Sequence, residues 1–413
     1  MVNDGRSQKH GSESADQNRK PLAGVRIIDA GSIIAGPLAT GLLADFGAEV
    51  ISIEHPAGDP VRNMNPKKDG VSLLWKVYHR NKKAITLDLS TPEGGDVLKD
   101  LVEDADMIVE NFRPGTMEKW GLGYAELSER NEDLLMARIS GFGQTGPERE
   151  RAGFGRIAGA MGGMVNMVGE KDGPPMFPSY PVEDAIAGVH AAFGMMIALF
   201  NQRMTNDGGQ VIDLSMAEAI LQTNALMPLE HELLGKVPRR HGNTQPNVAP
   251  NSVYQTSDGE YLAIPASNDN AWRRLCHAMD HEDLLRNEKF VDNKSRVENS
   301  EEINRIVREW IADHTRAEIE AKFDEGDVIY AFVYDIEDIR NEDHYQHRNV
   351  FEEIDDEELG EAIIQNPVPR LTETPGEIRH LGPKSGEHNE EVYCDALGYP
   401  AEKLQRLRSN DVI

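Results

Sequence analysis

Glu183 and Asp184 stand side by side in SYPVEDAIAGVHAAFGMMIALF (179–200), a stretch that is otherwise apolar after Ala185 except for His190. Its composition predicts a buried helix that begins at these two acids. Acidic residues suit a first helical turn because they complement the positive end of the dipole and accept from free backbone N–H groups. That structural role explains one of the pair. The same surroundings hold a carboxylate ionised, and an ionised, partly desolvated carboxylate is a nucleophile. Gly188 follows Asp184 by one turn on the same face, with Ala185, Ala187, Ala191 and Ala192 nearby, so a bulky ligand has room to approach this helix end.

Other groups with chemical capacity gather beside predicted strands. KVYHRNKKAITLD (76–88) packs Lys76, His79, Arg80, Lys82 and Lys83 into eight residues of a chain otherwise short of cations. A charge run is usually a solvated loop, yet a basic island in so acidic a chain suits a phosphorylated ligand. ENFRPG (110–115) sets an amide, a ring and a guanidinium in a row at a strand end. Asn111 is suited to read a heterocycle edge, Phe112 to stack on it and Arg113 to meet phosphate; a turn set by Pro114-Gly115 is the plain alternative. ISGFGQTGP (139–147) is a Gly loop at the carboxyl edge of a strand, where open α/β sheets bind ligands. GSIIAGP (31–37) also joins strand to helix, but it lacks the G-x-G-x-x-G spacing, which disfavours a nicotinamide dehydrogenase.

The elements that must position these groups alternate. VRIIDAG (25–31) reads as a strand, GPLATGLLADFGA (36–48) as a helix and EVISIEHP (49–56) as a strand stopped by Pro. The pattern recurs through AITLDLS (84–90), a helix over 92–104, MIVENF (107–112), a helix ending near Trp120, and LLMARIS (134–140). This alternation predicts an α/β fold, a large Rossmann-like domain with a parallel sheet. From about 240 to 340 the texture changes. NSVYQTSDGEYLAIPA carries two strands around a Ser-Asp-Gly turn, and amphipathic helices such as NSEEINRIVREWIADH follow, which predicts a smaller α+β domain. The expected division is a disordered tail over 1–20, the first part of the large domain over 21–225, linker and small domain over 226–345, and a return to the large domain over 346–413.

The formal net charge of −28 comes from 71 acidic against 43 basic residues, and segments such as EEIDDEELGE (352–361) resemble the surfaces of proteins from salt-loving archaea. That charge excludes nucleic acid and anionic membrane surfaces as partners. At molar salt, where the Debye length is about 3 Å, self-repulsion is screened and a local basic cluster still binds an anion. Two cysteines, Cys276 and Cys394, form neither a disulfide framework nor a metal-site spacing, so a cytoplasmic protein without a metal site is expected. The polar N-terminus has no apolar signal region.

Taken in order, these motifs resemble the class III CoA-transferases. The likeness runs through LADFGAEVISIEHPAGDPVR (43–62), NKKAITLDL (81–89), VENFRPG (109–115), ISGFGQTGP (139–147) and VEDAIAGVHAAFG (182–194). It continues in GGQVIDLSMAEA (208–219), HGNTQPNVAP (241–250) and EEVYCDALGY (390–399), and extends from about residue 22 to the C-terminus. The resemblance implies that Asp184, in the matching D-x-x-x-G position, is the nucleophile, forming an acyl anhydride and then an aspartyl-CoA thioester. It implies CoA contacts at Asn81, Lys82, Lys83, Asn111, Phe112 and Phe142; Arg62 and Arg113 are added on their charge. It also implies an interlocked homodimer, acyl-CoA and carboxylic acid substrates, and no permanently bound cofactor. Succinyl-CoA as donor and a dicarboxylate such as mesaconate, malate or citramalate as acceptor are the expected pair. Arg149, Arg151, Arg156, Arg239 and Arg240 are candidates for holding a distal carboxylate. Ile33-Ile34 replaces a glutamine carried by one branch, and that branch's shielding glycine loop is not evident before RRHGNTQP (239–246), so its formyl-CoA/oxalate specificity is not implied. An α-methylacyl-CoA racemase shares the fold, but AGFG (152–155) has Phe154 where those enzymes carry a histidine, and Phe cannot move a proton. A non-catalytic CoA-binding protein is a third reading.

Overall fold

The computed structural model describes residues 20–413; the expected disordered tail lies outside the described residues except for Lys20. The chain divides into two units. The first holds residues up to Met164, Pro178–Ala225 and Asn349–Ile413; the second holds Val165–Phe177 and Leu226–Arg348. Residues 165–177, which the sequence reading left in the large domain, cluster with the second unit. They are tied there by Asn166, whose side chain donates to Pro238 O and whose backbone carbonyl accepts from Arg240, and by Gly169 O, which accepts from Gly242 N–H.

In the first unit, strands β1 (Arg26–Asp29), β2 (Glu49–Glu54), β3 (Lys83–Thr86), β4 (Met107–Glu110), β5 (Leu135–Ser140) and β6 (Val211–Ser215) form one sheet. Their order is β3-β2-β1-β4-β5-β6, and every pairing is parallel. This is the doubly wound order, and its direction reverses between β1 and β4, where such sheets open a crevice for ligands. Strand residues alternate between two cores, as the two-residue period requires. Ile28, Ile108 and Met136 pack with helix α3 (Pro92–Val102) and with Tyr393, Leu404 and Leu407 near the C-terminus. Ile27, Val109 and Ala137 pack with helices α1 (Ala35–Ala44) and α5 (Val182–Thr205) and with Met216 and Ile220 of α6 (Met216–Gln222). Two shorter helices matter below: α2 (Leu73–Tyr78) and α4 (Gly155–Met161).

Helix α5 is long and apolar enough to cross a membrane by length and composition. Its small residues Ala187, Gly188, Ala191, Ala192 and Ala198 are buried in this unit.

The second unit pairs β7 (Asn251–Gln255) antiparallel with β8 (Tyr261–Pro265), and β9 (Ala331–Phe332) lies on the other side of β8. Helices α7 (Asp269–Ala278) and α8 (Ser300–Ala312) contribute Trp272, Leu275, Ile303 and Val307 to its core. Back in the first unit, the acidic segment read as solvated surface is most of a hairpin. Strands β10 (Phe351–Asp356) and β11 (Gly360–Gln365) pair antiparallel, and Leu359 and Ile364 are buried with Ile378 and Leu381. Charge density masked an alternating strand pattern whose turn is fixed by Asp356 accepting from Glu358 and Leu359 N–H. The chain ends in helix α9 (Ala401–Ser409), which carries Leu404 and Leu407.

Beneath the sheet's carboxyl edge lies an ion pair with no solvent exposure. Lys82 Nζ donates to Asp29 Oδ2 at 2.8 Å and to Pro37 O at 2.7 Å. Asp29 also accepts from Thr40 Oγ1 and from Gly31 N–H, so it ties the end of β1 to α1. Removing one member of such a pair leaves a buried charge uncompensated. Lys82→Met is expected to cost about 3–5 kcal/mol in denaturant unfolding, and Asp29→Asn in the same chain should recover part of it. A loss below about 1 kcal/mol would mean that Asp29 does not depend on Lys82.

Candidate active site

The loops after β1 and β4 meet at the point where the strand order reverses. Asn111 clamps Ser32 from both sides: its Oδ1 accepts from Ser32 N–H and its Nδ2 donates to Ser32 O, each at 2.8 Å. Next to this clamp Ile33 has φ 67, a left-handed conformation that is costly for a β-branched residue. Asp59 accepts from Ile33 N–H at 3.4 Å and helps hold it. On the other side, Phe112 N–H donates to Glu110, which is buried and paired with Arg138 at 2.7 Å. Burial raises the Glu110 pKa, and Arg138 opposes that rise. Asn111 is thus engaged in bracing a loop, and Phe112 meets Trp120 edge-on.

Asn111, Phe112, Arg113 and Pro114 line one side of a cleft of about 200 Å³ whose other walls are Ser140, Gly141 and the segment Arg149, Arg151–Phe154. Arg113 is exposed and makes no ion pair among the described residues. Arg151 sits over the Phe142 ring at 5.5 Å, and Phe142 packs behind Gly153. The cleft therefore offers guanidinium groups and aromatic faces together, which suits a ligand with anionic and planar parts.

Helix α4 begins where this wall ends, at Gly155. A Cβ there would collide with Asp184 Oδ2, and a Cβ on Gly159, one turn on, would come within 2.8 Å of Glu183 Oε1. One glycine face of α4 thus seats both carboxyls of the first turn of α5. From the opposite side α1 closes on Gly188, whose Cβ would stand 3.0 Å from Ala35 O. Burial raises the Asp184 pKa to about 6; the Glu183 charge adds to the rise, and Asp184's own backbone N–H opposes it. At neutral pH Asp184 is still a carboxylate, but a basic and poorly solvated one.

The basic island is placed differently from these groups. Lys76 is buried between Asp356 and Glu358, Arg80 pairs with Asp45, and Lys83 lies between Glu49 and Glu391. Lys82 is the fully buried partner of Asp29. Asn81 is buried too: its side chain donates to Asp45 and to Glu377 O and accepts from Arg379 N–H. Arg62 makes two 2.7 Å contacts to Glu54 and stacks 3.5 Å over Trp75. His79 is buried and stacked on Trp75, and burial, with the charges of Lys82 and Arg62, holds it neutral. As placed, these side chains are held by internal partners rather than forming a solvated loop. Charge counting along the chain missed this because the compensating carboxylates lie far away in sequence. Sequence reasoning also passed over Tyr78, whose pKa is raised by burial and then by the Asp184 charge, and over Gly155 and Gly159. The paired glycines four residues apart were the available signal.

The match to known proteins identifies the family. The family model described as CoA-transferase family III matches residues 22–389. The chain belongs to CoA-transferase family III. The protein is accordingly a CoA-transferase, and CoA thioesters are its substrates. The succinyl-CoA–D-citramalate CoA-transferase of Chloroflexus aurantiacus is 40% identical over 402 residues, covering 97% of this chain and 100% of that one. The beta subunit of the succinyl-CoA–L-malate CoA-transferase of the same organism is 41% identical, over 95% and 98% of the two chains. Among solved structures, a CAIB/BAIF family protein from Brucella suis superposes with a TM-score of 0.81 at 28% identity, covering 92% of this chain and 100% of its own.

Two outcomes are expected for the contact between Gly155 and Asp184. With a folded pKa near 6 against an ordinary 3.8, Asp184 favours the folded state while protonated, and that advantage is lost as pH rises through 6. Asp184→Asn is therefore expected to melt higher than the natural protein at pH 7.5, by about 1–3 kcal/mol in stability, with no difference near pH 3.5; an equal difference at both pH values would contradict this. Gly155→Ala should lower kcat/KM by roughly tenfold or more by displacing the Asp184 carboxylate, with the circular dichroism of the folded protein retained.

Proposed function

We propose that the protein moves CoA from succinyl-CoA to a C4 or C5 dicarboxylate, of which mesaconate, citramalate and malate are the leading candidates, through covalent intermediates on Asp184. The single observation that carries this reading is the partly desolvated Asp184 carboxylate, seated on Gly155 one residue beyond the wall of a cleft of guanidinium and aromatic groups. The relatives that use succinyl-CoA with citramalate and malate support the donor and the acceptor class.

In the first step an Asp184 carboxylate oxygen attacks the thioester carbonyl carbon; the C–S bond breaks, leaving a mixed anhydride and CoA thiolate. The thiolate then attacks the Asp184 carbonyl carbon, forming an aspartyl-CoA thioester and releasing succinate. The acceptor carboxylate attacks that thioester to make the second anhydride, and thiolate attack on its acyl carbon releases the new acyl-CoA and restores Asp184. A carboxylate nucleophile suits this sequence because its CoA thioester has the same bond type as the substrate's and can pass CoA on to the acceptor. Arg113, Arg149 and Arg151 supply the cleft with cations for CoA phosphate or for the distal carboxylate of the acids, while Phe112 and Phe142 offer faces for the adenine. Asn81, Lys82 and Lys83 act in this reading as braces beneath the loops.

A homodimer is part of the proposal. Val189, Phe193, Ile197, Phe200 and Met204 form an exposed apolar stripe along α5, opposite its buried alanine face. Burying such a stripe against a second copy agrees with the physics of an obligate interface.

The test is incubation of the purified protein in about 2–3 M KCl, which screens its acidic surface, with succinyl-CoA and a panel of carboxylic acids, following new CoA thioesters by mass. Asp184→Ala should reduce turnover by at least about a thousandfold while CoA still binds. Substantial transfer by that variant would refute the nucleophile. Exchange of an α-proton for deuterium in a branched acyl-CoA, without movement of CoA between acids, would select the racemase instead.

A further inference from the structure

We propose that Glu183 is a positioning residue of the reaction: a buried second carboxylate that repels the Asp184 anion and is relieved of that repulsion in each covalent intermediate. The inference rests on Asp184 being the nucleophile.

The ordinary role of a first-turn acid is not the one Glu183 plays. Its side chain is only 1% exposed, and Oε1 has no hydrogen-bond partner among the described residues. A capping acid accepts helix N–H groups at the surface, whereas this one is turned away into the glycine face of α4, against Gly159. An unpartnered buried carboxyl is costly. Residues at functional sites bear such costs when the arrangement serves the chemistry. Asp184 is the next residue, seated on the same α4 face one turn away at Gly155. The two carboxyls therefore share one poorly solvated contact, and the Glu183 charge acts on Asp184 there.

The chemistry gives that contact a use. When the Asp184 oxygen bonds to the acyl carbon, its negative charge leaves with the CoA thiolate as the C–S bond breaks. When the thiolate then forms its bond to the Asp184 carbonyl carbon and the anhydride C–O bond breaks, the charge leaves with the released acid. Asp184 is a neutral acyl group in both adducts. Repulsion from Glu183 is present only in the free enzyme, so it raises the nucleophile and lowers the adducts relative to it.

Few other charges compete. Among the elements packed on α5, α1 has no ionisable side chain; α4 brings Arg156, α6 brings Glu218, β5 brings Arg138 and β6 brings Asp213. Arg138 is held by Glu110 and Glu118, and Asp213 accepts from Gln144 N–H. Arg156 and Glu218 are exposed, His190 of α5 itself is bonded to Ile186 O, and Tyr78 of α2 is an uncharged phenol.

Glu183→Gln keeps the shape and removes the charge. Two readouts test it: the acid limb of kcat/KM against pH, and the fraction of protein carrying a CoA thioester on Asp184 after quenching with succinyl-CoA, read by intact mass. The acid limb is expected to fall by about 0.5–1 pH unit and the trapped fraction by roughly 3–10-fold, while Glu183→Asp, which restores a charge, recovers part of both. Unchanged limb and unchanged adduct in a folded Glu183→Gln protein overturn the proposal. If that variant does not fold, Gly159→Ala, which pushes on the Glu183 carboxyl, is read the same way. Failure of the underlying reading is seen separately, as turnover that survives Asp184→Ala.

Discussion

Packing around the first turn of α5 strips part of the hydration from the Asp184 carboxylate, and the proposed role of that carboxylate as a nucleophile depends on it. Helix α4 approaches through Gly155 and Gly159, and α1 approaches through Gly188. No side chain larger than hydrogen fits at the two α4 contacts without displacing a carboxyl oxygen. The desolvation that raises Asp184 is therefore built from backbone proximity. The placement of Asp184 beside the cleft depends on the same contact, since Phe154 of the cleft wall and Gly155 of the contact are neighbours in sequence.

Around that contact the crevice is stiffened by charges that face inward. Asp29–Lys82, Asp45–Arg80, Glu54–Arg62 and Glu110–Arg138 all lie near strand ends or the helices beside them, and each has at least one member that is almost wholly buried. Pairs of this kind add little net stability, but they penalise any other arrangement because breaking one strands a charge. They fix the loop over 31–37, in which Ile33 is held at φ 67, and the turn over 110–115. In the proposed mechanism, a rigid crevice edge would keep a flexible CoA substrate in register with Asp184. Several of the chain's cations are used for this bracing, while Arg113, exposed and without an ion pair among the described residues, lines the cleft.

The alternation of strand and helix patterns was readable because the two-residue and 3.6-residue periods are local properties of the chain, and VRIIDAG, EVISIEHP and LLMARIS lie where parallel strands are found. Asp184 stood out in the sequence as an acid opening an apolar helix with glycine one turn later, a setting that a structural role also explains, and the ordered family motifs made it the candidate nucleophile. The hairpin over 351–365 was not legible, because β10 and the turn after it are dense in acids, and that charge outweighs the strand pattern. The internal partners of the basic island were not legible for a related reason: those of Lys76 and Asn81, such as Asp356 and Glu377 O, are close in space and nearly 300 residues away along the chain.

The sequence by itself determined the α/β class, the family and the identity of the carboxylate that opens α5, since each rests on periodicity or on ordered motifs that need no neighbours. Tertiary structure alone decided which cations stay available, which asparagine braces a loop and which carboxyl lacks a partner. Those properties depend on burial and on contacts between distant segments, and electrostatic energy at a site is set by what lies within a few ångströms of it rather than by what lies next to it in the chain.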